Sequence, residues 1–251
     1  MSRLVSSQGK RSTGTEPRTV ALVPAAGRGL RMGGQVAKQF LSLGGRPILI
    51  HSLRMLQASP VIHEIVLAVP EADLQYCLDH IMAHGEFGKV TKVVPGGAQR
   101  QDSVRHALAE VSEETEIVLV HDAVRPFLTL EMIRNVVQAA LEHGAAIVAL
   151  PMRDTVKYVR ADGIIERTVD RHPLWLAQTP QAFRRAWLEE GHRKALLNGT
   201  QATDDSDLVE LIGKPVVVVE GSGENIKLTR PEDLVIGEAI LSSRIAARSI
   251  G

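Results

Sequence analysis

The chain has 251 residues, 44% of them hydrophobic, enough to bury one substantial core within a single α/β domain. Its 29 Lys and Arg balance 29 Asp and Glu, so no overall field attracts nucleic acid or an anionic membrane, and any anion site has to be local. No apolar run approaches the roughly 20 residues of a membrane-spanning helix, and the lone cysteine, Cys77, excludes an internal disulfide and fits a packed helix face in a reducing, cytoplasmic setting.

Residues 1–18 are rich in Ser, Thr, Gly and Arg with one acid, Glu16, and lack the apolar stretch of a secretory signal. A flexible tail is expected, although an organelle-targeting segment has the same composition. A β-branched run at 19–23 predicts the first strand, and the folded domain is taken to begin there and to extend to 251. Amphipathic patterns predict helices over 47–58, 72–84, 102–111 and 130–143, interleaved with strands at 65–69, 90–94, 117–120 and 146–150. Helices at 183–197, 205–212 and 231–247 and a strand at 216–219 complete the series. Such alternation predicts an α/β fold with a mostly parallel sheet covered by helices on both faces. Residues 156–159 and 164–169, flanking Arg160-Ala161-Asp162-Gly163, break the rhythm and predict an inserted β-hairpin within an arm of about 153–172. A hairpin alone is marginal in water, so this one is expected to pack on something, and a second copy of the chain is a natural candidate.

Chemistry concentrates where the predicted strands end. The first strand runs into Pro24-Ala25-Ala26-Gly27-Arg28-Gly29-Leu30-Arg31-Met32-Gly33-Gly34, with Lys38 close behind. Small residues let backbone N–H groups approach phosphate oxygens, while Arg31 and Lys38 supply the charge a triphosphate needs. Gly27-x-Gly29-x-x-Met32 lacks the third small residue of the dinucleotide fingerprint, and no G-x-x-x-x-G-K-[ST] occurs. A glycine turn without a ligand is the other reading of the pattern. Gly96-Gly97 closes another strand and is followed by Arg100 and Ser103, a second loop able to read a base edge; Ser103 fits a helix-start residue equally well. Asp122 ends the run from Ile117 at the edge where ligands gather in open sheets. Position alone suits a turn aspartate as much as a Mg²⁺ ligand. No nucleophilic Ser or Cys with a paired His is evident.

Pro24-Ala25-Ala26-Gly27-x-Gly29-x-Arg31-Met32 with Lys38-Gln39-Phe40 resembles the opening motif of the sugar-phosphate nucleotidyltransferases, whose fold is Rossmann-like. More narrowly, it resembles the 2-C-methyl-D-erythritol 4-phosphate cytidylyltransferase family of the non-mevalonate isoprenoid pathway. The likeness continues through Gly96-Gly97-Ala98-Gln99-Arg100-Gln101-Asp102-Ser103-Val104, Val120-His121-Asp122-Ala123-Val124-Arg125-Pro126, Arg153-Asp154-Thr155-Val156-Lys157 and Thr168-Val169-Asp170-Arg171. It extends through Leu174-Trp175 and Gln178-Thr179-Pro180-Gln181 to Glu220-Gly221 and Asn225-Ile226-Lys227-Leu228-Thr229-Arg230-Pro231. The blocks keep the family's order from Val20 to about Ala239. Departures are Ala37 in place of the usual proline, an extra cation at Arg28, and Ala98 where many relatives carry an acid.

The resemblance implies in-line transfer of CMP from CTP to 2-C-methyl-D-erythritol 4-phosphate, with Arg31, Lys38, Arg171 and Lys227 as the catalytic cations. It implies nucleotide contacts from Pro24, Ala25, Ala26, Gly27, Gly29, Gly97, Ala98, Arg100, Ser103, Asp122 and Ala123, and Mg²⁺ or another divalent cation on Asp122. Arg125, Thr155, Thr179 and Thr203 would lie near the accepting substrate, and the arm would form a homodimer in which Thr155 and Arg171 complete the partner's site. A phosphate monoester is already an oxyanion near neutral pH, so no protein base is required, and His121 is expected behind the site. Thr168-Val169-Asp170-Arg171 with Leu174-Trp175 is closer to the methylerythritol enzymes than to ribitol-5-phosphate cytidylyltransferases. A non-catalytic nucleotide-binding regulator would not need both cationic pairs, and a nicotinamide dehydrogenase lacks its fingerprint. Because the chain stops after the 231–247 helix, no fused cyclase domain is expected.

Overall fold

The computed structural model describes residues 17–27, 37–82 and 85–249. Gly29 and Arg31, the extra cation Arg28, the end of the helix expected at 72–84, and all but two residues of the expected tail lie outside the described residues. Seven strands form one sheet: β1 (Thr19–Pro24), β4 (Glu64–Val69), β5 (Val90–Pro95), β6 (Ile117–Val120), β7 (Ala145–Pro151), β10 (Trp175–Arg184) and β11 (Val217–Glu220). Their order is β11-β7-β10-β6-β1-β4-β5. β1 pairs in parallel with both β4 and β6, so the winding reverses beside β1 and leaves a crevice beyond the carboxyl ends of β1 and β6.

Successive residues along each strand face opposite sides, and both faces are apolar. Ala21, Val23, Ile65, Leu67, Ile117 and Leu119 pack with α1 (Ile48–Ala58) and α4 (Leu130–His143). Val20, Leu22, Val66, Val118 and Val120 pack instead with α3 (Arg100–Leu108), α5 (Arg185–Asn198) and α6 (Asp205–Leu211). A smaller cluster of Leu43, Ile48, Val124, Phe127 and Leu228 lies against α7 (Pro231–Ser249). This cluster supports the loops that follow β6 and β11. Leu43 belongs to a two-residue strand, β2 (Ser42–Leu43), paired with β3 (Arg46–Pro47), which the apolar patterning does not reveal.

Three expectations change. The helix expected at 72–84 is a 3₁₀ turn at Glu71–Asp73, a short α2 (Leu74–Cys77) and a π turn at Leu78–Met82, although Cys77 and Ile81 still face the core. The helix expected from 183 begins at Arg185, because Phe183 and Arg184 finish β10. β10 itself is unexpected and runs antiparallel to both neighbours. Its register shifts between Ala177 and Gln181, around a cis Thr179–Pro180 bond, and this irregularity lets a proline sit inside a central strand.

The inserted hairpin is present as β8 (Val156–Val159) and β9 (Ile165–Val169), which form a separate two-stranded sheet. Gly163 takes the left-handed conformation its turn demands, at φ 82°. Tyr158, Val159, Ile164 and Ile165 are all about half exposed, a run of apolar surface unlike the rest of the arm.

Candidate active site

Two glycine loops meet at the switch point. Ala25 donates its N–H to the Ala68 carbonyl at 2.7 Å, and Gly96 donates to Val69 at the same distance. These bonds bring the loop after β1 against the loop after β5. A Cβ on Gly96 would lie 2.1 Å from the Ala26 Cβ and 2.9 Å from Ser103 Oγ, and one on Gly97 would lie 2.1 Å from the Asp102 Cβ. The glycines are therefore required by close approach, and the exposed Ala98 leaves their backbone open to a ligand.

Ser103 shapes this loop. Its hydroxyl accepts the Gly97 N–H at 3.1 Å and donates to the Gln99 carbonyl at 3.1 Å. The helix begins at Arg100, two residues before the expected start, with Asp102 accepting the Gln99 N–H at 3.2 Å. The helix-start role open to Ser103 thus belongs to Asp102. On the other loop, a Cβ on Gly27 would meet Lys38 Cε at 3.4 Å, so the Lys38 stem lies beside Gly27.

Asp122 follows the end of β6 and is 5% exposed. Arg100 Nε donates to its Oδ1 at 2.7 Å, Lys227 Nζ lies 2.7 Å from its Oδ2, and Arg125 Nε lies 3.8 Å from the same oxygen. Burial alone would raise the Asp122 carboxyl, but Arg100 and Lys227 outweigh it and hold the group well below the usual carboxylate range. Arg100 also approaches Asp205 Oδ2 at 2.8 Å. Burial opposes its charge, yet the two carboxylates hold the guanidinium above its ordinary value. Burial raises the Asp205 carboxyl despite that contact.

Neutral groups lock this charge cluster in place. Thr179 Oγ1 accepts the Asp122 N–H at 3.0 Å and lies 3.2 Å from His121 Nδ1, while His121 Nε2 lies 3.1 Å from the Arg125 carbonyl. A carbonyl only accepts, so Nε2 carries the ring proton and Nδ1 accepts the threonine hydroxyl. Burial pushes the imidazole down to about 4. Both ring nitrogens are occupied, so His121 is a strut behind the site, as expected, and not a base. Ala123 is buried, and its carbonyl accepts the Ser52 hydroxyl at 3.2 Å.

The structure brings together Ala25, Ala26, Gly27, Lys38, Gly97, Arg100, Ser103, Asp122, Arg125, Thr179 and Lys227 around the carboxyl edge of β1, β5 and β6. Pro24 closes β1, and Thr203 lies exposed before α6, with its N–H on Asp207 Oδ2 at 3.1 Å. Thr155 and Arg171 stand apart on the arm, lining an open surface depression with Thr168, Val169 and Asp170. Arg171 donates to the Arg153 carbonyl, and no described hydrogen bond of either residue reaches Asp122. Sequence reasoning assigned no role to Asp205, Gln178 or Asn225. All three lie in or beside motif blocks, but only the folded chain places Asp205 against Arg100, Asn225 against Arg125 and Gln178 against Asn225.

Among the described residues, no three His, Cys, Asp or Glu side chains form a metal cluster. The donor set is the buried Asp122 carboxylate, met by Arg100 and Lys227, beside two glycine loops. This set suits a hard divalent ion that takes most of its ligands from phosphate and water.

A model of the family described as IspD, 2-C-methyl-D-erythritol 4-phosphate cytidylyltransferase, matches residues 19–243. A relative of that name from Syntrophus aciditrophicus is 48% identical over 226 residues, covering 90% of this chain and 97% of the relative. One from Pelotomaculum thermopropionicum is 46% identical over 227 residues, covering 90% and 95%. The crystal structure of 4-diphosphocytidyl-2C-methyl-D-erythritol synthase from Anaerococcus prevotii superposes with a TM-score of 0.80 at 32% identity, covering 90% of this chain and 96% of that one. That of the Thermus thermophilus cytidylyltransferase gives 0.73 at 36% identity, covering 88% and 98%. Given a match that spans the sheet, both glycine loops and the Asp122 cluster, this chain belongs to the 2-C-methyl-D-erythritol 4-phosphate cytidylyltransferase family.

Proposed function

We propose that the protein transfers the CMP part of CTP to 2-C-methyl-D-erythritol 4-phosphate, releasing pyrophosphate, as a step of non-mevalonate isoprenoid synthesis. The observation that carries this reading is the cluster of Arg100, Arg125 and Lys227 around one buried carboxylate, set beside the interlocked glycine loops. An acceptor phosphate oxygen attacks the α-phosphorus of CTP and forms one P–O bond. The bond to the β-phosphate breaks, and its electron pair leaves with pyrophosphate. Two polyanions have to meet, so alignment and fixed positive charge supply the catalysis. Lys38 faces the nucleotide phosphates across Gly27, Lys227 and Arg125 face the acceptor, and Ala26, Gly97 and Ser103 frame the base. Arg31 is assigned to the same phosphates by the motif.

Asp122 would hold one divalent cation, Mg²⁺ or another, and that ion would neutralise charge on the triphosphate. We further propose a homodimer through the arm, supported by its exposed apolar residues and by the separation of Thr155 and Arg171 from the Asp122 cluster; in the dimer these two residues would complete the partner's site. A cytoplasmic setting is supported by Cys77, a buried thiol that burial pushes up to about 12. Among the described residues no helix is long and apolar enough to cross a membrane.

The test is pyrophosphate release from CTP with 2-C-methyl-D-erythritol 4-phosphate or ribitol 5-phosphate, each with Mg²⁺ and with chelator. Turnover that needs the methylerythritol substrate and the metal is the expected outcome. Faster turnover of ribitol phosphate overturns the substrate, and turnover undiminished by chelator overturns the metal.

A further inference from the structure

We propose that Asn225 is a positioning residue that sets Lys227 against the acceptor phosphate through buried hydrogen bonds, touching no substrate itself. The inference rests on the cytidylyl-transfer reading above. Asn225 is completely buried. Its Nδ2 donates to Gln178 Oε1 at 3.1 Å and to the Thr179 carbonyl at 2.9 Å. Both acceptors lie in the irregular stretch of β10, the stretch that also fixes the Asp122 N–H. Its own carbonyl accepts from Arg125 Nη1 at 2.7 Å, and its N–H donates to the Ser222 carbonyl at 3.0 Å. Gln178 Nε2 donates to that same Ser222 oxygen at 3.0 Å.

The loop after β11 is thus fastened at Asn225, and again where Leu228 donates to the Val124 carbonyl at 2.9 Å. Lys227 stands between these two anchors. A lysine stem has four rotatable carbons and fixes nothing by itself, so the place of its ammonium depends on how its backbone is held.

The choice of side chain points the same way. Asn225 Oδ1 is buried without a hydrogen-bond partner, an arrangement that costs stability. The amide therefore serves through its two hydrogens, which reach two acceptors at once. Aspartate would turn a carboxylate on those acceptors, and alanine would leave both unsatisfied.

A double-mutant cycle of Asn225→Ala and Lys227→Ala tests the assignment, with kcat and KM for each substrate and the melting temperature of every variant. Asn225→Ala is expected to lower kcat/KM for the acceptor by about 10- to 100-fold, as for other residues that orient a functional group, with KM for CTP changed less than about 3-fold. In the Lys227→Ala background the same change should cost less than about 3-fold more, because residues acting as one unit are non-additive. Asn225→Ser, which keeps one donor, should fall between, and it replaces alanine in the cycle if that variant does not fold. Equal losses in both backgrounds, or a KM for CTP that rises with that for the acceptor, overturn the proposal. A wild-type protein without acceptor-dependent turnover fails at the earlier step and removes the functional reading instead.

Discussion

Lys38 lies against Gly27 with nothing but hydrogen on the glycine between its stem and the loop backbone. With Lys38 read as a cation for the nucleotide phosphates, Lys38→Ala removes charge stabilisation from a partly exposed position. The expected loss is roughly 10²- to 10³-fold in kcat, about 3–4 kcal/mol of transition-state stabilisation, as for removal of one preorganised donor. The melting temperature should stay within a degree or two. Near-normal turnover measured by pyrophosphate release would remove Lys38 from the machinery. His121 shows the opposite logic, because a histidine beside an active-site carboxylate invites the role of base, yet its two nitrogens are spent on Thr179 and Arg125.

At the scale of elements, β8 and β9 expose Tyr158, Val159, Ile164 and Ile165 on one short hairpin. Apolar surface on a protruding arm is the usual mark of a contact between subunits. Tyr158→Asp combined with Ile165→Asp should give a monomer by light scattering, with turnover reduced by about 10-fold or more if Arg171 serves the partner's site. A double variant that remains dimeric or fully active would refute that arrangement. The parallel strands were legible in sequence because each is a short apolar run that includes Val or Ile. β10 was not, because Gln178-Thr179-Pro180-Gln181 is polar and carries a proline, and Ala182-Phe183 resembles a helix start. The candidate site divides along the same line. Gly27, Gly97, Asp122 and Lys227 lie in local motifs, whereas Asp205 meets Arg100 and Asn225 meets Gln178 only across long stretches of chain.

For the whole molecule, a buried histidine contributes to the response to acid. His192 is buried with neither ring nitrogen hydrogen-bonded, and burial, with Arg105 and Arg100 nearby, pushes its imidazole down to about 4. Between that value and the unfolded value near 6.5 the unfolded chain binds more protons, so stability rises with pH there. The contribution is complete above about 6.5 and is lost as pH falls toward 4, by about 3 kcal/mol at most. His192→Leu should therefore flatten the acid limb of melting temperature against pH over that window, by roughly one proton's worth of slope. An unchanged limb would assign the proton uptake to His51 and His121, which burial also lowers.

β7 and β10 are antiparallel neighbours, with Pro151 opposite Trp175. Topologically the arm is an ornamented loop between two adjoining core strands, and its two ends already meet. Excising it and closing the gap with a tight turn would leave every rung of the central sheet intact. If the arm joins two copies as proposed, association is a separable module on a self-sufficient scaffold, free to lengthen, shorten or change partners without renegotiating the core.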